Sequence, residues 1–202
     1  MFARIQKVVV FLLALAPAGW LAWRTVHDAL GVNPVEELEL TTGIWAYRFL
    51  LRSLAITPLR RLSGWNTVIR FRRMLGLFAF AYATAHLLIY VVVDQGLAVR
   101  YILQDVAKRR FITAGMVAFI LLVPLAITST KGWIRRLGRR WQALHRLVYV
   151  SAAAAALHFI WKVKVPIGEP VYYAGLLAIL LGVRLLWRRR PVVAARRQPA
   201  QA

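Results

Sequence analysis

Three histidines stand in long apolar segments of the sequence, where a titratable side chain is costly and so indicates a function. His86 lies in RRMLGLFAFAYATAHLLIYVVV, and His145 and His158 lie in WQALHRLVYVSAAAAALHFIWKV. A neutral imidazole nitrogen is a good ligand for haem iron or zinc. Because the sequence has no cysteine, any metal must be held by His or Met, and thiolate-bound haem, Fe–S clusters and covalent haem attachment are excluded.

The positions of these histidines along their segments favour one pair. His86 follows Arg73 by thirteen residues and His158 follows Trp141 by seventeen, so these two histidines lie at a similar depth. His145 follows Trp141 by only four residues. Because thirteen helical residues separate His145 from His158 by about 20 Å, the two cannot bind one iron atom. The sequence therefore predicts that His86 and His158 face each other across a helical bundle.

A pair of neutral imidazoles without a cysteine or an acidic neighbour suits a b-type haem better than zinc, because structural zinc sites need four ligands. A haem also needs space for its flat ring. The alanines at 152–156, with Ala81, Ala83 and Ala85 on the facing segment, remove bulk where a porphyrin must approach the backbone. Close packing of two helices through small residues explains the same alanines equally well.

Arg48 and Arg52 are candidates for binding the haem propionates. They are four residues apart in an apolar segment, which places them on one face of a helix. A guanidinium binds a carboxylate through charge-assisted hydrogen bonds. The alternative is that both side chains extend toward the membrane surface and keep their charge in water.

The composition predicts an all-α integral membrane protein. Of the 202 residues, 60% are hydrophobic, the mean hydropathy is +0.59, and a helix needs roughly 20 apolar residues to span the hydrocarbon. Six stretches approach this length: 8–26, 42–62, 74–93, 111–128, 141–161 and 170–187. We therefore expect a six-helix transmembrane bundle in residues 1–187 and a disordered basic tail in residues 188–202. No internal repeat and no soluble domain stand out.

The net charge of +21 would suggest nucleic-acid binding, but its distribution points to a membrane. Basic clusters follow the second, fourth and sixth predicted spans, and acidic residues lie between the first and second. This pattern obeys the positive-inside rule, so we expect both termini in the cytoplasm, contact with lipid and no nucleic-acid partner. The connection from Asp94 to Arg110 is an exception, because its four basic residues lie on the outer side: Arg100, Lys108, Arg109 and Arg110.

The sequence resembles the MsrQ (formerly YedZ) family of haem-binding membrane subunits in four stretches: RRMLGLFAFAYATAHLLIY, ITPLRRL, PLAITS and LGRRWQALHRLVYVSAAAAALHFIW. The resemblance extends from Phe11 to about Trp187 and includes the order and spacing of all three membrane histidines. It implies a ferric-reductase-like transmembrane domain of six helices in the bacterial inner membrane. It also implies that His86, His145 and His158 are the haem histidines.

The resemblance further implies a function in electron transfer. Members of the family bind haem b and FMN and take electrons from the quinone pool or from a cytosolic flavin reductase. They pass these electrons to MsrP, a periplasmic molybdopterin subunit that reduces methionine sulfoxide in oxidised periplasmic proteins. The chain is then an electron-transfer subunit of an oxidoreductase complex and not an enzyme on its own.

One feature departs from the wider superfamily. Ferric reductases and NADPH oxidases carry two histidines on each of two helices, whereas the third predicted span here has only His86. Arg72 and Arg73 stand near the level where a partner of His145 is expected. One haem with two histidine ligands is therefore predicted, and three roles stay open for His145: ligand of a second haem, partner of a different residue, or contact for a flavin or quinone.

Two other functions are compatible with parts of the sequence. The first is the haem subunit of a ferric or oxygen reductase, which needs a separate dehydrogenase partner because the chain has no GxGxxG motif for a dinucleotide. The second is a haem-free proton channel that uses histidines and arginines as relays. The predicted spans lack the buried Asp or Glu residues common in such relays, which argues against the channel.

Overall fold

The computed structural model describes residues 2–163 and 168–189, and the predicted tail from residue 190 lies outside this range. The described residues contain nine α-helices and no strand: α1 (Phe2–Val26), α2 (Pro34–Ser63), α3 (Arg72–Leu88), α4 (Val99–Lys108), α5 (Arg110–Ile127), α6 (Lys131–Leu137), α7 (Arg139–Leu144), α8 (Leu147–Lys162) and α9 (Glu169–Arg189). A 3₁₀ helix (Asn66–Phe71) precedes α3, and a π-helical turn (Ile89–Asp94) follows it. The all-α prediction is confirmed.

Five helical segments of the described residues are long and apolar enough to cross a membrane: Arg4–Val26, Asn66–Asp94, Arg110–Ile127, Arg139–Lys162 and Glu169–Trp187. They correspond to the first and the third to sixth predicted spans, so a multi-pass membrane protein is supported. The second predicted span, 42–62, lies within α2, which is not among the five. Arg48 and Arg52 interrupt its apolar stretch and lower its hydropathy.

Helix α2 is central to the packing although it is the least apolar of these long helices. Leu51 and Leu54 are 2% and 1% exposed, and they belong to a core that also contains Phe78 and Ala152. The ends of α2 are well defined. Asn33 caps the first turn by accepting a hydrogen bond from the Glu36 amide at 3.3 Å, as N-cap residues do.

Four helices form the centre of the bundle, because α2 packs along α3 and α5 packs along α8. Helix α9 contacts α2 and α8, whereas α1 contacts α2 and α3. The Tyr82 hydroxyl attaches α1 to this centre: it donates to the carbonyl of Ala14 at 2.9 Å and accepts from the amide of Ala18 at 3.0 Å. These two groups flank Pro17, where a proline interrupts the helical hydrogen bonds.

Candidate functional site

A cavity lies between α2, α3, α5 and α8, and His86 and His158 line it from α3 and α8. The centroids of the two imidazole rings are 6.0 Å apart, and their planes are inclined by 76°. The structure therefore brings together the two histidines that the sequence pairs by depth. The π-helical turn begins at Ile89, three residues after His86, and such turns are frequent at functional sites.

Each imidazole uses its Nδ1 atom in a hydrogen bond with a backbone carbonyl on a neighbouring helix. His86 Nδ1 is 2.9 Å from the carbonyl oxygen of Glu39, and His158 Nδ1 is 2.7 Å from that of Phe111. A carbonyl oxygen can only accept, so both Nδ1 atoms donate and both Nε2 atoms keep a lone pair. This is the arrangement of metal-binding histidines, whose second ring nitrogen is held by a carbonyl or carboxylate.

Two glycines provide the space for these rings. A Cβ atom at Gly43 would lie 3.2 Å from Nδ1 of His86, and a Cβ atom at Gly115 would lie 2.7 Å from Nδ1 of His158. Each ring therefore rests directly against the backbone of the helix that holds its Nδ1 atom. The sequence reasoning did not find these glycines, because a glycine in an apolar helix gives no sign of what will pack on it.

The two halves of the site repeat each other. Both histidine–carbonyl hydrogen bonds join residues 47 positions apart. Each accepting carbonyl, in Glu39 and in Phe111, stands four residues before the supporting glycine. The α2–α3 pair and the α5–α8 pair thus present equivalent half-sites, with the same offset of 72 residues from His86 to His158 and from Gly43 to Gly115. The sequence shows no internal repeat, but the geometry of the two half-sites does repeat.

The residues of the cavity fit a haem. Two imidazoles that share one metal ion, each with a nitrogen-to-metal bond of about 2.0 Å and a ring radius of about 1.1 Å, would have ring centres up to about 6.2 Å apart. The observed distance of 6.0 Å is compatible with this. Small side chains line the space around the pair: Ala79, Ala83, Ala118 and Ala155. The described residues contain no group of three or more His, Cys, Asp or Glu side chains that could hold a metal ion, so a two-ligand iron site fits them better than zinc.

The alanine prediction holds for some positions only. Ala83 and Ala155 line the cavity, whereas Ala152 and Ala156 are buried in the helix-packing core. Ala81 is exposed on the surface of α3. Both readings of the alanine run therefore apply, to different members of it.

Arg48 and Arg52 do not line the cavity. Arg48 Nε donates to the Tyr173 hydroxyl at 2.7 Å, and its Nη2 lies 3.3 Å from a carboxylate oxygen of Glu169. The guanidinium of Arg52 lies over the ring of Trp45 at 5.2 Å. The structure thus directs Arg48 toward α9 and not toward the histidine pair.

The cavity is apolar in its interior and charged at one end. We call this end the charged rim and define it by four lining residues: Glu39, Asp94, Arg109 and Lys162. Glu39 and Arg109 stand near the beginnings of α2 and α5, and Asp94 and Lys162 stand at the ends of the π-helical turn and of α8. The sequence indicated this rim only through the basic residues before α5, which do not obey the positive-inside rule.

His145 lies outside the cavity, in the turn between α7 and α8. Its Nε2 atom is 3.0 Å from the Thr128 hydroxyl, which donates its own hydrogen to the carbonyl of Pro124 at 2.6 Å. The His145 nitrogen must therefore be the donor. Trp141 stacks on the imidazole at 3.9 Å and donates its indole hydrogen to the Thr128 carbonyl at 2.9 Å. The structure does not bring His145 to the histidine pair.

Comparison with known proteins gives a consistent result. Residues 42–156 match the family model described as "Ferric reductase like transmembrane component". A protein of Xanthomonas oryzae pv. oryzae is 50% identical over 203 residues, which cover 98% of this chain and 91% of that protein. A protein of Herminiimonas arsenicoxydans is 52% identical over 184 residues, covering 90% and 84%.

Both relatives are named "Protein-methionine-sulfoxide reductase heme-binding subunit MsrQ". A protein of Xanthomonas euvesicatoria pv. vesicatoria with the same name is 51% identical over 201 residues, covering 96% of this chain and 90% of that protein. No solved structure matches the chain. The family match includes Gly43, His86, Phe111 and Gly115 of the two half-sites, and the full-length relatives extend over Glu39 and His158 as well. This chain belongs to the MsrQ family of ferric-reductase-like transmembrane proteins.

Proposed function

We propose that this chain is a haem b subunit that carries electrons across the membrane, and that His86 and His158 would hold the haem iron. The observation that supports this most directly is the ring separation of 6.0 Å combined with the engagement of both Nδ1 atoms. Both Nε2 lone pairs are left to bind one metal ion. When bound, a b-type haem supplies one-electron redox chemistry.

The residues of the chain orient the ligands and tune their basicity. The carbonyls of Glu39 and Phe111 fix the two rings and increase electron density at their Nε2 atoms, because a hydrogen bond donated from Nδ1 makes an imidazole a stronger ligand. The apolar wall, including Leu50 and Leu122, keeps water away from the pair. Dielectric and ligand basicity are the means by which a protein sets the potential of a haem.

The partners follow from the family. The names of the relatives place their subunits in a protein-methionine-sulfoxide reductase. We infer that electrons come from the quinone pool or a cytosolic flavin reductase and go to the periplasmic molybdopterin subunit MsrP, for the reduction of methionine sulfoxide in oxidised periplasmic proteins. FMN is proposed as a second cofactor on the same basis.

The proposed topology has six spans with both termini in the cytoplasm of a bacterial inner-membrane protein. Helix α2 has 30 residues, about 45 Å of helix, and is long enough to be the second span. Stacking on Trp45 and pairing with Glu169 reduce the cost of Arg48 and Arg52 within it. In this orientation the charged rim faces the periplasm.

The absence of cysteine makes the topology easy to test, because a single introduced thiol has no background. We expect cysteines at Val32 and Gln104 to react in intact spheroplasts with a maleimide that cannot cross the membrane. A cysteine at Trp65 should react only after lysis. Labelling of position 65 in intact spheroplasts, with positions 32 and 104 protected, would contradict the topology.

The haem ligands are tested by absorbance of the purified chain. We expect a reduced-minus-oxidised spectrum of a low-spin haem, lost in His86→Ala and in His158→Ala because an apolar cavity cannot replace an axial nitrogen. His27→Ala is the matched control, since His27 is exposed near the end of α1 and stacks only on Trp23. Full low-spin absorbance in both ligand variants would overturn the pairing.

A second function, the membrane haem subunit of a ferric or oxygen reductase with a separate dehydrogenase partner, is favoured by the ferric-reductase match of residues 42–156. The two functions differ in the acceptor. In proteoliposomes with a chemical reductant, the chain should reoxidise faster on addition of MsrP and a methionine sulfoxide peptide than on addition of ferric citrate or oxygen. The opposite order would favour the second function.

A further inference from the structure

The charged rim holds two cations beside the histidine pair. Lys162 is the last residue of α8 and follows His158 by four residues, so both side chains lie on the same face of the helix. Its ammonium group lies 5.8 Å from the ring centre of Phe111, whose carbonyl holds His158. Lys162 forms no ion pair with any residue in the described part of the chain.

Arg109 is held at the rim by α4. Its Nε atom lies 3.1 Å from one carboxylate oxygen of Asp105. The other oxygen of Asp105 accepts a hydrogen bond from the Tyr90 hydroxyl at 3.2 Å, and Tyr90 also lines the cavity. This chain of contacts uses the Nε side of the guanidinium, and its two terminal amino groups form no hydrogen bond or ion pair with the described residues.

The rim also carries two carboxylates, which limit where an anion can bind. Asp94 accepts a hydrogen bond from the Gln95 side chain at 2.7 Å. Glu39 has a buried Oε1 atom without a hydrogen-bond partner among the described residues. Both acidic residues come from the α2 and α3 side of the cavity, whereas Arg109 and Lys162 come from the α5 and α8 side. An anion is therefore attracted to the α5–α8 side.

We propose that Lys162 and Arg109 bind the two propionate carboxylates of the haem; this inference rests on the proposed function. Both propionates leave the same edge of the porphyrin, so a ring held between His86 and His158 must direct that edge to a place where two negative charges are compensated. In the described residues the cavity lining offers cations only at the charged rim. Charge-assisted hydrogen bonds to carboxylates are the strong ones, and they fix the orientation of the ring.

This assignment replaces Arg48 and Arg52, which the sequence suggested, and it accounts for basic residues on the side of the membrane where the charge pattern disfavours them. Arg109 belongs to the exceptional run before α5. A cation near the haem stabilises its reduced form, because reduction adds a negative charge. Lys162 and Arg109 should therefore raise the reduction potential.

The test compares haem with haem dimethyl ester, in which both propionates are neutral. The full-length chain is produced in a host that cannot synthesise haem and is titrated in detergent with either compound. We expect Lys162→Gln and Arg109→Gln to weaken haem binding roughly tenfold each and to lower its midpoint potential. Binding of the ester should be the same in wild type and variants.

Two further variants separate a charge effect from a general disturbance. Lys162→Arg keeps the positive charge and should restore most of the affinity for haem. Arg100→Gln is the matched control, since Arg100 belongs to the same outer connection and is exposed but does not line the cavity. It should bind both compounds like wild type.

The outcomes distinguish this inference from the proposed function. If the double variant Lys162→Gln/Arg109→Gln binds haem and its ester like wild type, while the wild-type spectrum still depends on His86, the propionate assignment is wrong and the haem function stands. Equal weakening for haem and for the ester also rejects the assignment. If wild type binds neither compound, the inference and the proposed function both fail.

Discussion

The imidazole of His158 lies so close to the backbone of Gly115 that a Cβ atom at position 115 would come within 2.7 Å of Nδ1. At the other half-site, a Cβ atom at position 43 would lie farther from Nδ1 of His86, at 3.2 Å. Real Cβ atoms do not approach a ring atom to 2.7 Å, so one of the two groups must move when a methyl is added at 115. The ring is the group that moves, because the backbone of α5 is fixed by its own helix.

This difference predicts a graded effect of two alanine substitutions. Gly115→Ala should displace His158 from the Phe111 carbonyl and reduce haem binding roughly 10- to 100-fold, as loss of a supporting contact to a metal ligand does. Gly43→Ala should have a smaller effect, since a shift of a few tenths of an ångström relieves its contact. Haem titration of the purified variants measures both.

Gly175→Ala is the control, because a Cβ atom there meets nothing within 4 Å and alanine is the better helix former. It should bind haem like wild type. Equal haem affinity in Gly115→Ala and Gly175→Ala would show that the close contact does not constrain His158.

The part of the fold that could be predicted is the part set by local composition. Apolar runs predict six spans, and five of them correspond to described helices that are long and apolar enough to cross a membrane. Counting residues from the start of two of these spans brings His86 and His158 to one level, and their rings lie 6.0 Å apart in the structure. Depth along a helix follows from a fixed rise per residue. A sequence therefore contains this information without any knowledge of the neighbouring helices.

The supports of the site could not be predicted, because they depend on contacts between distant positions. The carbonyl of Glu39 and the ring of His86 are 47 positions apart, and a backbone carbonyl has no signature in the sequence. The spacing of Arg48 and Arg52 places them on one face of α2, but it does not say which neighbour that face meets. The structure shows α9 there.

Tyr82→Phe tests the attachment of α1. The substitution removes the hydroxyl that links the buried Ala14 carbonyl to the Ala18 amide, and both groups lie beside Pro17. We expect a loss of about 1–3 kcal/mol of stability, the usual cost of leaving a buried polar group without its partner, here the Ala14 carbonyl. The haem spectrum should be unchanged, since Tyr82 does not line the cavity.

The measurement is thermal unfolding of the detergent-purified chain, with cleavage of the α1–α2 connection by a protease as the signal for unfolding. Tyr101→Phe is the control, because Tyr101 is 64% exposed. A melting temperature of Tyr82→Phe equal to that of Tyr101→Phe would show that the hydroxyl contributes nothing.

The carboxylate of Glu37 makes the stability of the α1–α2 connection depend on pH. The Gly31 amide donates to its carboxylate at 2.6 Å and Arg24 pairs with it, so these partners hold the pKa of Glu37 below its usual value of 4.5. A lowered pKa means that the ionised carboxylate stabilises the folded connection above pH 4.5, and that this contribution is lost as pH falls through the lowered pKa.

Proteolysis of residues 27–33 should therefore accelerate as the pH is lowered below about 4.5, when an acid-active protease is used. Glu37→Gln should be cleaved faster than wild type at neutral pH and should lose most of this acceleration. Glu36→Gln is the matched control on the preceding residue. The same pH profile in wild type and Glu37→Gln would contradict the role of the carboxylate.

His145→Ala tests whether the role of His145 is structural and independent of the histidine pair at the other end of the bundle. The substitution removes the stacking with Trp141 and the hydrogen bond to Thr128, which together connect the end of α5 to the turn before α8. We expect the low-spin spectrum of the haem proposed between His86 and His158 to persist, because His145 does not line that cavity. Stability should fall by about 1–2 kcal/mol, for one hydrogen bond and one aromatic contact.

Haem content per chain and thermal unfolding, measured on the same preparation, check both parts of this expectation. Thr128→Val removes the hydroxyl partner of His145 while keeping the imidazole. It should therefore lower the stability by part of the same amount and leave the haem content unchanged. If His145→Ala loses haem and Thr128→Val does not, the imidazole is itself a haem ligand and the structural role assigned to it is wrong.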